Sequence, residues 1–438
     1  MTEFPYSYSF DKEIYKKIMS EQIDKRDDLK IIEVDNAYIL PLIYKPNHLF
    51  GCGGVVDENM NYINESAILS RAGVISYPQK EERILESYVN HGYEFDCENV
   101  DYIDEEVVYL GFIQDHWGHF IVDFATRLWI VSQCENQDMK YAFFIKENQK
   151  LDLHPNIFRF LELMGINNEN ALFLNEITKF RKVIVPECSY QTNSYFSDSY
   201  LDTFDYVADK IQVSGKSYDK VYFSRLHYPK AKEKEIGEES IENLFKSNGY
   251  KVIYPEEHSL DEQIEIIRNA KEIAAVSGSL THNMLFAQNG KKLTIINKAY
   301  IKNMVQRDIN LIRKLDVTYV DAFEACMPVT MGFGPFLLSY TSHLSKYARD
   351  YDFNENAPSQ YEKYQNMKRY LESYDTAVSN IYHGIPVKSD SDSVHKFNPE
   401  FTRLFTKNLI EYNQKEEPVS FKQKLKKILK GYIHNCRL

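Results

Sequence analysis

The stretch IQDHWGHFIVDF at 113–124 carries His116, His119 and Asp123 where a helix is expected to start. Four residues separate His119 from Asp123, so a helix sets both on one face. There the carboxylate orients the imidazole, or itself shares in accepting a proton. Imidazoles titrate near neutrality, which makes His119 the first choice of base. Asp123 as base, with His119 holding an acceptor or a phosphate, is the alternative, and a half-buried histidine with a local hydrogen-bond partner is the non-catalytic one. His116 and Trp117, just ahead, are candidate acceptor-side residues. The histidines are three apart and no glutamate lies between them, unlike HExxH, and no metal is expected.

A second constellation is VSGSLTHNMLFAQNG at 276–290. A strand ending at Val276 delivers Ser277, Gly278 and Ser279 into a turn, and glycine gives that turn its freedom. The following helix is expected to turn its first N–H groups toward an anion, with His282 and Asn283 near a phosphate or nucleoside. This is neither GxGxxG, nor Walker A, nor the GxSxG elbow. Ser277, Ser279 and His282 also admit a hydrolase-like cluster or a plain capped turn. Arg225 ends the strand VYFSR, placed to aim a guanidinium at a pyrophosphate or to form a surface ion pair. Glu238 and Glu262 each sit near a helix start, where they cap the helix or recognise a ribose.

These residues need elements to hold them. Strands are expected near 140–146, in ALFLNE and in KVIVPE, with the helix NIFRFLELMG between. Phe120, Phe124 and Leu128 recur every four residues, predicting a helix through GHFIVDFATRLWIVS. The second half alternates more clearly: strand VYFSR, helix IGEESIENLFKSNG, strand KVIYP, helix SLDEQIEIIRNA, strand EIAAVSG, helix SLTHNMLFAQNG, strand KLTIIN. Four strands with intervening helices make a Rossmann-like half. The first 100 residues, including IIEVDNAYILPLIY and ILSRAGVISY, suit an extended antiparallel region instead. The aromatic stretch between Tyr190 and Asp219 is expected to join the halves.

The 438 residues exceed a single ordinary domain, and a hydrophobic fraction of 43% with 33 Tyr and 26 Phe supplies large cores. Net charge of -12 argues against a surface that wraps nucleic acid. Six scattered cysteines without a CxxC pair suggest neither a disulfide framework nor a zinc knuckle. The start lacks a signal-peptide core and no apolar run spans a bilayer, so the cytoplasm is the expected compartment. Residues 421–438 interleave Lys422, Lys424, Lys426, Lys427, Lys430 and Arg437 with Phe421, Leu425, Ile428 and Leu429. That pattern suits either an anionic membrane surface, through 419–438, or a solvated terminal helix.

In order along the chain, GHFIVDFATRLW, SRLHYPKAKEKEIGEESIENLF, YPEEHSLDEQIEIIRNA and VSGSLTHNMLFAQNG resemble the family 61 glycosyltransferases. That family includes plant xylosyltransferases, animal protein O-N-acetylglucosaminyltransferases and bacterial relatives. The resemblance covers mainly residues 35–300. It implies an α/β, GT-B-like fold, with two Rossmann-like domains facing a cleft and a helical C-terminal extension. The expected divisions are 1–205 on the acceptor side, 206–325 for the nucleotide sugar, and 326–438 as the extension.

The resemblance also implies inverting, metal-independent transfer of a hexosyl or pentosyl group from a nucleotide sugar, commonly a uridine diphosphate sugar, to a glycan or glycolipid hydroxyl. Its histidine-plus-acid helix falls on His119 and Asp123, its strand-end arginine on Arg225, and its asparagine-glutamate pair on Gly237 and Glu238. Its next glutamate falls on Glu262, and its glycine loop on Gly278, Leu280, Thr281 and Asn283. Two departures stand out: Gly237 replaces the asparagine, and the turn reads Ser277, Gly278, Ser279, Leu280. A bacterial-type member in surface or capsular polysaccharide assembly is the expectation. A nucleotide-sugar or glycan-binding protein on an inactive scaffold is the alternative.

Overall fold

In the computed structural model, which describes residues 8–10, 13, 16, 20–43, 52–67, 97–134, 138–145, 152–232, 234–299, 303–324 and 334–384, two main sheets carry the chain. The first contains β1 (Ile31–Asp35), β2 (Tyr38–Ile43), β3 (Cys52–Val56), β4 (Asp101–Phe112), β5 (Lys140–Phe144), β6 (Ala171–Leu174) and β7 (Thr178–Pro186). Its order is β3-β2-β7-β4-β5-β6, with β1 also on β7. Strands β4 to β7 pair in parallel, whereas β1, β2 and β3 add antiparallel. The first sheet is therefore mixed rather than a simple Rossmann sheet. Its antiparallel part is the extended region expected near the start. In β4 every residue from Val107 to Phe112 is buried, the mark of a strand covered on both faces.

The second sheet is fully parallel: β8 (Lys220–Phe223), β9 (Lys251–Ile253), β10 (Glu272–Val276), β11 (Lys292–Asn297) and β12 (Asp316–Asp321). It holds one strand more than the four expected. The order β9-β8-β10-β11-β12 is the doubly wound 2-1-3-4-5 arrangement, whose direction of winding reverses between β8 and β10. Loops leaving the carboxyl ends of those two strands face a common crevice.

The helices start where the sequence supplies caps. Helix α1 (Pro155–Leu163) opens with proline at its first position and the His154 ring accepting from Asn156 N–H. Then come α2 (Asp198–Lys210), α3 (Glu238–Ser247) and α4 (Leu260–Asn269), the last closed by a Ser259–Glu262 capping box. After them run α5 (Met304–Ile312), α6 (Ser342–Asp350) and α7 (Gln360–Gly384). One apolar core runs from the first sheet through Phe160, Phe204 and Phe286 to β11 and β12. Polar ties cross the same region: Arg159 grips Asp261 with two 2.8 Å bonds, and Asp205 accepts from both Arg268 and Arg313.

The structure corrects several expectations. The segment 117–133 is helical but not a regular α-helix: one α turn (Trp117–His119), a π stretch (Phe120–Phe124), then a 3-10 stretch (Ala125–Gln133). Every residue from Phe120 to Val131 is buried, so packing on all sides dictates the path. The helix expected over 279–290 shrinks to a four-residue turn (Ser279–His282) followed by a 3-10 turn (Asn283–Phe286).

The division after residue 205 falls inside α2, and Tyr190 in the joining stretch already bonds Asp308 of α5 at 3.0 Å. Tyr8 pairs with Val320 of β12, so this residue joins the second sheet rather than the first. The extension after 326 is not purely helical. Phe336–Leu338 pairs with Glu235–Ile236 and Phe323–Glu324 in a small sheet. No helix among the described residues is long and apolar enough to cross a membrane. ILSRAGVISY and the basic stretch 419–438 lie outside the described residues.

Candidate functional site

Two segments far apart in sequence meet around Gly118 and Ser279. His116 has extended backbone and its Nδ1 accepts the His119 N–H at 3.2 Å, which starts the helical segment. His119 Nδ1 then lies 2.6 Å from Asp123 Oδ2. The pairing survives the π geometry, because residues four apart still share a side of that turn. Asp123 is almost wholly enclosed, its side chain 2% exposed against 26% for His119. A hydrogen bond from Nδ1–H to the Asp123 carboxyl leaves the ring's lone pair on Nε2.

Close approach fixes the other segment against this one. A Cβ on Gly118 would stand 2.8 Å from Ser279 Cβ and nearer still to its Oγ, so only glycine fits there. Trp117 donates its indole N–H to Asn283 Oδ1 at 2.8 Å and stacks on Phe286 with ring planes 7° apart. The polar atom of Trp117 is thus used inside the protein, as a positioning contact.

Beyond Ser279 the turn is held by its own residues. Gly278 has φ 151°, in the region that favours glycine. Thr281 Oγ1 bonds back to Gly278 O at 2.8 Å, and Ser277 N–H pairs with Ile296 O of β11. His282 and Asn283 are buried, with His282 Nε2 3.0 Å from Asn303 Nδ2. These two side chains therefore brace the turn rather than facing a nucleoside as expected. Leu280 is half-buried and packs on the main core.

Arg225 leaves the carboxyl end of β8, the strand next to β10, and its Nη1 comes within 3.3 Å of the point a Gly278 Cβ would occupy. From β11 Lys298 reaches the same point at 3.5 Å. Between them lies the carboxylate of Glu235, with Oε2 3.1 Å from Arg225 Nε and Oε1 bonded to Lys298 Nζ. Sequence reasoning missed both Glu235 and Lys298. The strand-end rule that singled out Arg225 applies equally to Lys298, which follows KLTIIN directly.

Glu238 is only 1% exposed, and its Oε1 accepts from Tyr222 O–H at 2.9 Å and Arg225 N–H at 3.1 Å. Burial, then the nearby Glu235 charge, push its carboxyl up to about 8. It secures the strand end and does not present itself to a ribose. Glu262 completes the capping box and pairs with Lys216, which with Ser259 holds its carboxyl down to about 2. Gly237 precedes α3 with φ 97°, and a Cβ there would collide with Leu338 O, so the asparagine expected at this position has no room.

The histidine-acid pair, the glycine turn and the strand-end arginine thus form one continuous neighbourhood. Residues 117–294 match the Glycosyltransferase 61 family. The matched span opens on Trp117, takes in His119, Asp123, Arg225, Glu238, Glu262 and the Gly278 turn, and ends within β11. It covers about two-fifths of the chain, less than the 35–300 over which the resemblance was placed. It supports sugar transfer from a nucleotide sugar in general terms and does not distinguish plant, animal and bacterial types. No curated protein matches the chain. Among the described residues, no group of three or more His, Cys, Asp or Glu side chains is arranged to hold a metal ion.

Proposed function

We propose that the chain is an inverting glycosyltransferase that moves a hexosyl or pentosyl group from a uridine diphosphate sugar to a hydroxyl of a glycan or glycolipid acceptor. The observation that carries this reading is the packing of Gly118 on Ser279, which sets the His119–Asp123 pair beside the turn faced by Arg225. His119 Nε2 takes the proton of the acceptor hydroxyl as the oxygen attacks the anomeric carbon from the face opposite the diphosphate. Asp123 holds the ring and stabilises the imidazolium that forms. Arg225 offsets the charge that develops on the departing diphosphate. Burial of the Asp123 carboxylate supports His119 rather than Asp123 as the base.

In this reading the second sheet carries the donor side and the first sheet the acceptor side, with His116 and Trp117 at the start of the catalytic segment. The proposed setting is bacterial surface or capsular polysaccharide assembly in the cytoplasm, with 419–438 as a peripheral contact to an anionic membrane face.

The test is calorimetric titration of uridine diphosphate, with guanosine and cytidine diphosphates as controls, into wild type and Arg225→Ala, followed by nucleotide-release assays over a panel of acceptors. Selective uridine diphosphate binding weakened by the substitution, with acceptor-dependent release, supports the proposal. Binding without turnover on any acceptor moves the non-catalytic reading ahead.

A further inference from the structure

Three neighbouring strands, β8, β10 and β11, run parallel and release their chains at one edge of the sheet. They deliver, side by side, Arg225, Gly278 and Lys298. Arg225 Nη1 and Lys298 Nζ converge on one point of the Gly278 backbone, at 3.3 and 3.5 Å from where a Cβ would stand. A side chain at 278 would occupy the space that the two cations share.

Both cations are held from behind. Glu235, with 4% of its side chain exposed, pairs with Arg225 through one oxygen and with Lys298 through the other. The Lys298 ammonium lies over the Phe336 ring at 4.8 Å, and the Arg225 guanidinium near the Tyr228 ring at 5.6 Å. Their side chains are 17% and 20% exposed, so water screens them only in part. Glu238, the other carboxyl at this place, is turned inward, its Oε1 taken by Tyr222 O–H and Arg225 N–H. Two cationic side chains thus share the Glu235 carboxylate between them, and both present N–H groups to the turn. A diphosphate brings more charge and more acceptor oxygens than a monophosphate, so it gains more from a second cation set beside the first.

We propose that Lys298 and Arg225 form a two-cation clamp for the diphosphate of the donor, with Glu235 as the buried carboxylate that positions both. This rests on the donor reading above and adds Lys298, which lies beyond the span matched by the family, as a residue that selects diphosphate over monophosphate.

The experiment titrates uridine diphosphate, uridine monophosphate and inorganic pyrophosphate into wild type, Lys298→Ala, Lys298→Gln and Lys298→Arg. Lys271→Ala, an exposed lysine at the opposite end of β10, serves as the equal-charge control. Thermal melts accompany every variant, and Lys298→Gln, which keeps a long polar side chain without the charge, covers the case in which the alanine variant does not fold. Removing one charge-assisted contact should weaken diphosphate binding by about tenfold or more. Monophosphate binding should change less than about threefold, Lys298→Arg should stay near wild type, and the Lys271 variant should be unaffected.

Equal weakening of mono- and diphosphate, or no weakening in a folded Lys298 variant, overturns the clamp. Wild type that binds pyrophosphate in a Lys298-dependent way but no nucleoside diphosphate keeps the clamp and removes the donor reading. Wild type that binds neither removes both.

Discussion

Trp117 and Asn283, 166 residues apart, share a 2.8 Å hydrogen bond from the indole N–H to the amide oxygen. That bond and the Gly118–Ser279 contact beside it tie the segment bearing His119 to the turn that faces Arg225. In the proposed mechanism these two segments work together only at fixed separation, since small errors in reacting geometry cost large factors in rate.

His119→Ala and Asp123→Asn should each lower the rate of sugar transfer by about two to four orders of magnitude. The asparagine variant keeps the size of the buried side chain but loses the charge that steadies an imidazolium. Steady-state turnover beside circular dichroism checks this. Wild-type rates in both folded variants would remove the pair from the mechanism.

Gly118→Ala should force the two segments apart. Its new methyl meets Ser279 Cβ at 2.8 Å, so a melting point lowered by several degrees and a fall in turnover are expected. Adding Ser279→Gly to the same chain should restore part of both losses. A coupling in the double-mutant cycle below about 0.5 kcal/mol would show that the contact does not join the segments.

Glu238 sets a basic limb in the stability profile. Its carboxyl ordinarily titrates at 4.5 and is pushed up to about 8 in the fold by burial and by Glu235. Between those values the folded chain holds a proton that the unfolded chain has released, so stability falls as pH rises from 4.5 through 8. Glu238→Gln keeps acceptors for Tyr222 and Arg225 and should flatten that limb. Urea melts from pH 5 to 9 with the same slope in both proteins would contradict this placement.

Glu262 works in the opposite direction. Lys216 and the Ser259 cap hold its carboxyl down to about 2, so its stabilisation is present above the usual 4.5 and is lost as pH falls toward 2. Glu262→Gln should reduce stability by about 0.5–2 kcal/mol at neutral pH and leave the donor KM unchanged. A KM raised tenfold in a protein of wild-type stability would return this residue to ribose recognition.

Much of the second half was legible because each element there carries a local signal. Ser259 and Glu262 announce α4, and continuous apolar runs announce β10 and β11. Less could be read where packing overrides local preference. The fully buried 120–131 leaves its expected helix, and the turn after Gly278 buries His282 and Asn283, whose polarity suggested a ligand. Ion pairing is also invisible in one dimension. Glu235 stands in a charged run that reads as solvated surface, yet strand pairing with Phe336–Leu338 draws it inside to meet Arg225 and Lys298. The reason for glycine at 237 is likewise a backbone oxygen a hundred residues later, that of Leu338.

The pairing of Tyr8 with Val320 imposes an order in time. Ser9 O–H and Phe10 N–H both donate to Asp321, 312 and 311 residues further along. During synthesis these early residues emerge first, and at about 5–20 residues per second they wait on the order of tens of seconds for the strand that receives them. Until then the outer edge of β12 does not exist, and afterwards Tyr8 covers part of it. Residues 8–10 are thus seated late, and completion of the second sheet reports that the length from 8 to 321 has been made.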